Sequence, residues 1–151
     1  MEPLLAFFLF VLLSPGFIVT IPPTPGEKFL GSNTTSQLAI IVHTVLFFVL
    51  NKLIQNDFMG LSIVNKAVKE ITSTNSKHVP SDVNVLLATI LFLLFSPGLI
   101  LTLVPFSFGE EVTSNIAVIA HGFIYYLSLK LYDEYKGEVW LRWLDKAIAE
   151  V

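Results

Sequence analysis

The sequence predicts an all-α integral membrane protein with four transmembrane helices, arranged as two parallel-repeat hairpins that are each followed by a cytoplasmic-side amphipathic helix. Three observations predict this class. Of the 151 residues, 54% are hydrophobic and 14% are charged, whereas a soluble domain carries about 25% charged residues. The uncharged residues form four long runs, and the second pair of runs repeats the first. Composition, run length and an internal repeat therefore point to the same fold class.

The four apolar runs are predicted spans at about residues 4–21, 36–54, 85–104 and 114–132. An 18-residue helix rises about 27 Å, close to the hydrocarbon thickness of about 30 Å. The segment Leu4 to Leu13 is apolar at every position, whereas a helix of a soluble bundle needs a polar face. Membrane spans are therefore favoured over a soluble bundle. We expect Thr35-Ser36 and Thr113-Ser114 to cap the second helix of each unit.

The two halves of the chain align with each other. Residues 10–23 match residues 92–105 at an offset of 82, and residues 35–43 match residues 113–121 at an offset of 78. The predicted organisation is repeat unit 1 at 1–72, a polar linker at 73–84 and repeat unit 2 at 85–151, with amphipathic helices at about 58–71 and 138–151.

Basic residues predict the orientation. Of nine Lys and Arg residues, eight lie between the two hairpins (in the first amphipathic segment or the linker), in the C-terminal segment or at the adjoining span ends, and Lys28 lies in a hairpin loop. By the positive-inside rule, the N-terminus, linker and C-terminus are cytoplasmic and both loops face away. Because each unit crosses twice, both units have the same orientation.

The amphipathic segments are candidate interaction surfaces. In the first segment, helical spacing relates the apolar residues Leu61, Val64, Val68 and Ile71. In the second, we predict an interface at Trp140, Trp143, Leu144 and Ile148. Such helices lie flat on the cytoplasmic leaflet or dock another protein, and both interpretations stay open at this point.

One motif occurs in each unit. Its residues are Ser14, Pro15, Gly16 and His43 in unit 1, and Ser96, Pro97, Gly98 and His121 in unit 2. A proline in a helix removes one hydrogen bond and clashes with the carbonyl four residues earlier, so each first span should kink or break. We expect each histidine to donate to the carbonyl that its proline frees, at Val11 or Leu93.

The histidines also allow another class of function. If His43 and His121 face each other across a pseudo-twofold axis, they could bind haem or a metal ion, or relay protons. No Asp or Glu lies in a predicted span, which weakens proton-coupled transport. Cysteine is absent, and no Ser–His–Asp set or phosphate loop is present. We therefore predict no enzyme activity, no cofactor and no metal site. The net charge of −3 is too small to indicate a nucleic-acid partner.

The motif resembles a family of short plant membrane proteins of unknown function, which correspond to one unit. Leu13-Ser14-Pro15-Gly16 with Val42-His43 fits closely, whereas Phe95-Ser96-Pro97-Gly98 with Ala120-His121 departs at the flanking positions. Similar small membrane proteins occur in large DNA viruses of algae. The resemblance implies a plant, algal or algal-virus setting, with the lipid bilayer and other membrane or capsid proteins as partners. Self-association into a homo-oligomer is compatible with it.

The leading hypothesis is a non-enzymatic structural membrane protein that organises a membrane and docks a protein layer. Such a protein could be a minor capsid or internal-membrane protein of a large algal DNA virus. A scaffold protein of a host plant or algal endomembrane is the alternative. A small bis-histidine haem protein or ion-conducting protein is the third hypothesis.

Overall fold

The computed structural model describes residues 2–73, 84–100, 102–103, 106–107, 114–135 and 146. These residues are predominantly helical, in agreement with the all-α prediction. In chain order, the elements are α1 (Pro3–Leu13), α2 (Gln37–Gln55), a 3-10 helix (Phe58–Gly60), α3 (Ser62–Ser73), α4 (Val85–Phe95), β1 (Thr102–Leu103), β2 (Phe106–Ser107) and α5 (Asn115–Tyr135). The two short strands pair antiparallel, with Thr102 opposite Ser107.

The helices of the four predicted spans, α1, α2, α4 and α5, pack so that each helix of one unit has its main contact with a helix of the other unit. Helix α1 packs mainly on α5, and α4 packs mainly on α2, whereas contacts within a unit are less extensive. Gly122 permits the close approach of α5 to α1, because a Cβ atom there would lie 3.0 Å from Val11 Cγ2 and 3.1 Å from Phe7 Cε2. Small residues serve the same purpose at helix interfaces in membranes.

Four buried aromatic rings form the centre of this packing, at Phe10, Phe47, Phe92 and Tyr125. Phe10 stacks on Tyr125 with centroids 4.7 Å apart, and Phe92 stacks on Phe47 with centroids 4.5 Å apart. The repeat offsets of 82 and 78 make these two stacks equivalent. The two units are therefore related by a pseudo-twofold axis that passes through the aromatic core.

Helices α1 and α4 end well before the apolar runs do. Within the predicted spans 4–21 and 85–104, the helices stop at Leu13 and Phe95, where the sequence predicts a kink or a break. The cause is the proline that follows each C-terminal serine, because a residue before proline is pushed out of the α region. Ser14 accordingly has φ −61° and ψ 125°, and Ser96 has φ −61° and ψ 123°.

The second helix of each unit follows its predicted run to within three residues. The hydroxyl oxygens of Ser36 and Ser114 accept hydrogen bonds from the Ala39 and Ala117 N–H groups, each over 3.1 Å. These serines therefore fill the predicted capping positions.

Only α2, among the described residues, is both long and apolar enough to cross a bilayer by itself. Helices α1 and α4 are apolar but have 11 residues each, which rise about 16 Å, roughly half the hydrocarbon thickness. Helix length and apolar composition together therefore support one of the four predicted spans.

The amphipathic helix of unit 1 begins at Ser62, after a tight reversal, and not at residue 58. Asp57 and Met59 both have left-handed backbone conformations, with φ of 54° and 53°. Asp57 Oδ1 accepts a hydrogen bond from the Ser62 N–H over 3.1 Å. The carboxylate thereby satisfies one of the donors that every helix start leaves open.

The predicted apolar face of α3 is divided by its packing. Leu61 and Val68 pack against the hydrophobic core, whereas Val64 and Ile71 are exposed. Asn65, on the core-facing side, accepts a hydrogen bond from the Glu2 N–H over 2.8 Å. Helix α3 is thus held against the start of α1 and leaves an apolar strip uncovered.

Two predicted segments fall largely outside the described residues. Of the linker 73–84, Ser73 ends α3 and Asn84 caps α4, with its Oδ1 accepting from the Leu86 N–H over 2.8 Å. The predicted helix at 138–151 lies outside the described residues apart from Lys146, and so do all four of its predicted interface residues, Trp140, Trp143, Leu144 and Ile148.

Candidate functional site

The Ser-Pro-Gly segments end the first helix of each unit with matching hydrogen bonds. Ser14 Oγ donates to the Phe10 carbonyl over 2.8 Å, and Ser96 Oγ donates to the Phe92 carbonyl over 2.7 Å. Each acceptor lies four residues earlier on the same helix. In unit 1 the Ser14 N–H also donates to the Phe10 carbonyl over 2.9 Å, whereas in unit 2 the Ser96 N–H donates to the Leu93 carbonyl over 3.3 Å. The serine hydroxyl therefore supplies an additional donor to a carbonyl of the last turn in both units.

His43 joins α2 to this helix end through both of its ring nitrogens. Nε2 lies 3.0 Å from the Ile21 nitrogen, whose N–H must be the donor. Nδ1 lies 2.6 Å from the Leu13 carbonyl oxygen, which can only accept. The hydrogen bonds thus fix the neutral tautomer that carries its proton on Nδ1. The ring is fully buried and connects the end of α1, the following loop and α2.

His121 repeats the contact to the helix end in unit 2. Its Nδ1 lies 2.8 Å from the Phe95 carbonyl oxygen and therefore donates to it. Phe95 is the equivalent of Leu13 at the offset of 82, and His121 is the equivalent of His43 at the offset of 78. The two units therefore contain the same histidine-to-helix-end contact.

The acceptors lie two residues later than the carbonyls of Val11 and Leu93 that we expected. A continuing helix would bond the Phe17 N–H to the Leu13 carbonyl. The chain turns at proline instead, and the Phe17 N–H donates to the Ser14 carbonyl over 3.2 Å. Leu99 N–H likewise donates to the Ser96 carbonyl over 3.2 Å. The carbonyl left for each histidine is therefore that of the last helical residue.

Glycine is required at the third position of the motif. Gly16 has φ +92°, and a Cβ atom there would lie 2.9 Å from the Thr34 carbonyl oxygen. The Asn33 N–H donates to the Gly16 carbonyl over 3.1 Å. The loop backbone thus passes directly over this glycine. Gly98 has φ +90°, so its backbone adopts the same left-handed conformation that favours glycine.

This geometry restricts what the histidines can bind. Since both ring nitrogens of His43 already have backbone partners, ligation of iron or another metal through this residue would require one of those bonds to break. Among the described residues, no group of three or more His, Asp or Glu side chains is placed to hold a metal ion. The arrangement is suited to holding a broken helix end against α2.

The sequence analysis missed two buried polar groups near the aromatic core. Asn51 donates from Nδ2 to the Phe47 carbonyl over 2.7 Å, whereas its Oδ1 has no hydrogen-bond partner in the described part of the chain. The Tyr125 hydroxyl, also buried, has none there either. The repeat itself could have revealed them. Its alignment pairs Tyr125 with Phe47 and Asn51 with Leu129, so each polar group stands where the other unit has an apolar side chain.

Comparison with known proteins gives one result for unit 1. Residues 2–58 match the model of a family described as "Protein of unknown function (DUF3339)". The matched segment is less than half of the chain and ends at the first residue of the 3-10 helix. No curated protein and no solved structure matches the chain. The first unit is therefore similar to a family that itself carries no assigned activity.

Proposed function

We propose that the protein is a non-enzymatic structural protein of a membrane, held in the bilayer by α1, α2, α4 and α5, and that it presents α3 to a neighbouring protein layer. The observation that carries this proposal is a distribution of side chains opposite to that of a soluble protein. Exposed apolar residues recur at equivalent positions in the two units, while polar residues are buried between the helices.

The exposed residues follow the repeat offsets. At the offset of 82 the exposed pairs are Phe8 with Ile90 and Leu12 with Leu94, and at the offset of 78 they are Leu38 with Ile116, Ile41 with Ile119, Val45 with Phe123 and Val49 with Leu127. Soluble monomers rarely expose continuous apolar surface of this kind. A lipid environment accounts for exposed apolar residues on all four of these helices, α1, α2, α4 and α5.

Polar side chains are also buried between the helices. They include Ser14, His43, Thr44, Asn51, Ser96 and His121. Most of these side chains hydrogen-bond to backbone carbonyls, as Thr44 Oγ1 does to the Ile40 carbonyl over 2.8 Å. In hydrocarbon, polar side chains face the interior of a bundle and find their partners there.

The short helices α1 and α4 can still belong to crossing segments. In unit 1, the chain after Leu13 continues as a loop whose backbone groups are paired internally. The Thr20 N–H donates to the Phe29 carbonyl over 3.1 Å, and the Gly31 N–H donates to the Ile18 carbonyl over 2.9 Å. Irregular backbone is tolerated at membrane depth when such partners exist.

Helix α3 supports the docking part of the proposal. Val68 and Leu61, the residue directly before α3, pack against the core, while Ile63 and Ile71 remain exposed. These side chains are available to headgroups or to a protein partner. One setting for this role is the internal membrane of a large algal DNA virus, and a plant or algal endomembrane is the alternative. Detection of the chain in purified virions would distinguish these settings.

Cysteine labelling tests the membrane arrangement cleanly, because the natural chain has no cysteine. Lys28→Cys and Lys66→Cys should react with a membrane-impermeant maleimide from opposite sides of sealed vesicles. Val45→Cys provides the sharper measurement. Val45 is 56% exposed, so it should react in the denatured protein and resist the reagent in intact vesicles. Rapid labelling of Val45→Cys in intact vesicles would refute embedding of α2.

Docking is tested separately from insertion. Ile63→Asp combined with Ile71→Asp should leave the protein in the membrane fraction after carbonate extraction and should weaken its crosslinking to neighbouring proteins. Lys66→Gln is the matched control on the same helix. Unchanged crosslinking of the double variant would contradict the docking role and would show that α3 is only a membrane anchor.

A further inference from the structure

Two lysines occupy equivalent positions at the cytoplasmic ends predicted for α2 and α5. Lys52 Nζ lies 5.8 Å from the centroid of the Phe48 ring, and Lys130 Nζ lies 5.9 Å from the centroid of the Tyr126 ring. Both pairs have the same four-residue spacing, and the offset of 78 relates one to the other. A cation within about 6 Å of a ring centroid is attracted to the ring face. Each ammonium group is therefore held beside its own helix.

A stripe of exposed apolar residues precedes each lysine, and on α5 Leu131, directly after Lys130, is exposed as well. On α2, Val49 and Val45 lie three and seven residues before Lys52, and on α5, Leu127 and Phe123 lie at the same spacings before Lys130. The stripe on α2 continues to Ile41, 11 residues before Lys52, a rise of about 16 Å. That length corresponds to roughly one leaflet of a hydrocarbon core about 30 Å thick.

The ammonium groups are available to an anion. Within the described residues, no carboxylate lies at salt-bridge distance from Lys52 or Lys130. Asp133 and Glu134 follow Lys130 on α5, yet the Lys130 ammonium lies over Tyr126, toward the apolar stripe. Because each lysine already covers its aromatic ring, that ring face is not open to the choline group of a zwitterionic lipid.

We propose that the protein has two pseudo-equivalent binding sites for anionic phospholipids, in which the Lys52 or Lys130 ammonium binds the headgroup phosphate and an acyl chain lies along the stripe. This inference rests on the proposed embedding of the helices in a membrane. The chemistry of the site selects for a phospholipid whose whole headgroup carries net negative charge, because no choline cation then opposes the lysine. Phe48 and Tyr126 act as positioning residues for the two lysines.

Lipid retention measures the proposed preference. The full-length protein is reconstituted in vesicles with equal amounts of phosphatidylglycerol and phosphatidylcholine, purified in mild detergent, and its retained lipids are quantified by mass spectrometry. We expect phosphatidylglycerol to be enriched severalfold over phosphatidylcholine. Equal retention of the two lipids would overturn the proposal. Carbonate extraction of the same vesicles reports insertion independently, so an inserted protein without enrichment refutes only the lipid sites.

Variants locate the sites. Lys52→Gln and Lys130→Gln should each lower retained phosphatidylglycerol by about half if the sites are independent, and the double variant should retain the two lipids equally. Lys28→Gln, in the opposite loop, should match the wild type. Phe48→Leu and Tyr126→Leu should weaken enrichment while insertion is unchanged. Full enrichment in the double lysine variant would overturn the assignment.

A soluble anion distinguishes headgroup from free phosphate. Inorganic phosphate added during purification should not displace the retained phosphatidylglycerol, because it lacks the acyl chain that the stripe binds. Displacement at concentrations that leave phosphatidylcholine in place would show a site for phosphate alone and would contradict the lipid assignment.

Discussion

Phe10 and Phe92 occupy the same position in the two repeat units, and their rings meet edge to face with centroids 5.2 Å apart. Each ring also stacks on an aromatic residue from the second helix of the other unit. The pseudo-twofold axis therefore passes between two copies of one residue. This contact makes the association of the units dependent on rings that the repeat itself supplies.

Phe10→Ala should destabilise the protein strongly, because Phe10 is fully buried and its ring packs against those of Phe92 and Tyr125. Truncation of a buried Phe costs about 3–5 kcal/mol in soluble cores. The matched control is Phe8→Ala, two residues away on the same helix, where the side chain is 49% exposed. Thermal unfolding in one detergent measures both variants. Equal losses for Phe8→Ala and Phe10→Ala would contradict the placement of the core.

Gly122→Val should disrupt the packing of α1 on α5. The added side chain would enter a space in which even a Cβ atom lies 3.0 Å from Val11 and 3.1 Å from Phe7, and overpacking costs about 1–3 kcal/mol. Leu127→Val is the control, since it places the same side chain at an exposed position of the same helix. A Gly122→Val variant with wild-type stability in detergent would show that α1 and α5 are not in close contact.

His43→Ala and His121→Ala should each cause a modest loss of stability. Each removes a contact to the backbone of its own unit, and side-chain hydrogen bonds in membranes average about 0.6 kcal/mol. The two losses should add in the double variant, as independent sites usually do. Ile41→Ala is the control on α2. A haem absorbance band in the purified wild type, lost on either single substitution, would replace this structural role with a shared cofactor.

Acidification should loosen the start of α3. The Ser62 side chain and then its backbone N–H, with a smaller contribution from Lys66, hold the pKa of Asp57 below its usual value. A lowered pKa means that the stabilisation is fully present above the ordinary value of about 3.9 and is lost as pH falls through the lower folded value. A spin label at Ile63→Cys should become more mobile below about pH 4. Adding Asp57→Asn should abolish that transition, and a transition that persists would exclude Asp57 as its origin.

The repeat and the second helices were predictable because their signals are local. The apolar run that begins after Ser36 contains no proline, so α2 extends along the whole run. The early ends of α1 and α4 were harder to predict, since proline can either kink or end a helix. Which occurs depends on partners from elsewhere in the chain, such as His43 for the Leu13 carbonyl.

The residues of the site could be predicted from the sequence, whereas their hydrogen-bond partners could not. The pairing of Ser-Pro-Gly with a histidine is visible twice in the sequence, but the second partner of His43, the Ile21 N–H, belongs to a loop without a periodic pattern. The aromatic core was missed for a different reason. In a run that is apolar at nearly every position, hydrophobicity does not indicate which residues face inward.

The exchange of helix partners between the units has a consequence for how the fold assembles. If two separate hairpins packed as α1 does on α5 and α4 does on α2, they would form a symmetric dimer, and its population would depend on the concentration of hairpins in the membrane. Within one chain, the same association is intramolecular and is governed by an effective concentration that the connecting segment sets. Covalent continuity therefore makes the paired state independent of expression level, and it lets the two halves diverge, as Asn51 and Leu129 have done at equivalent positions.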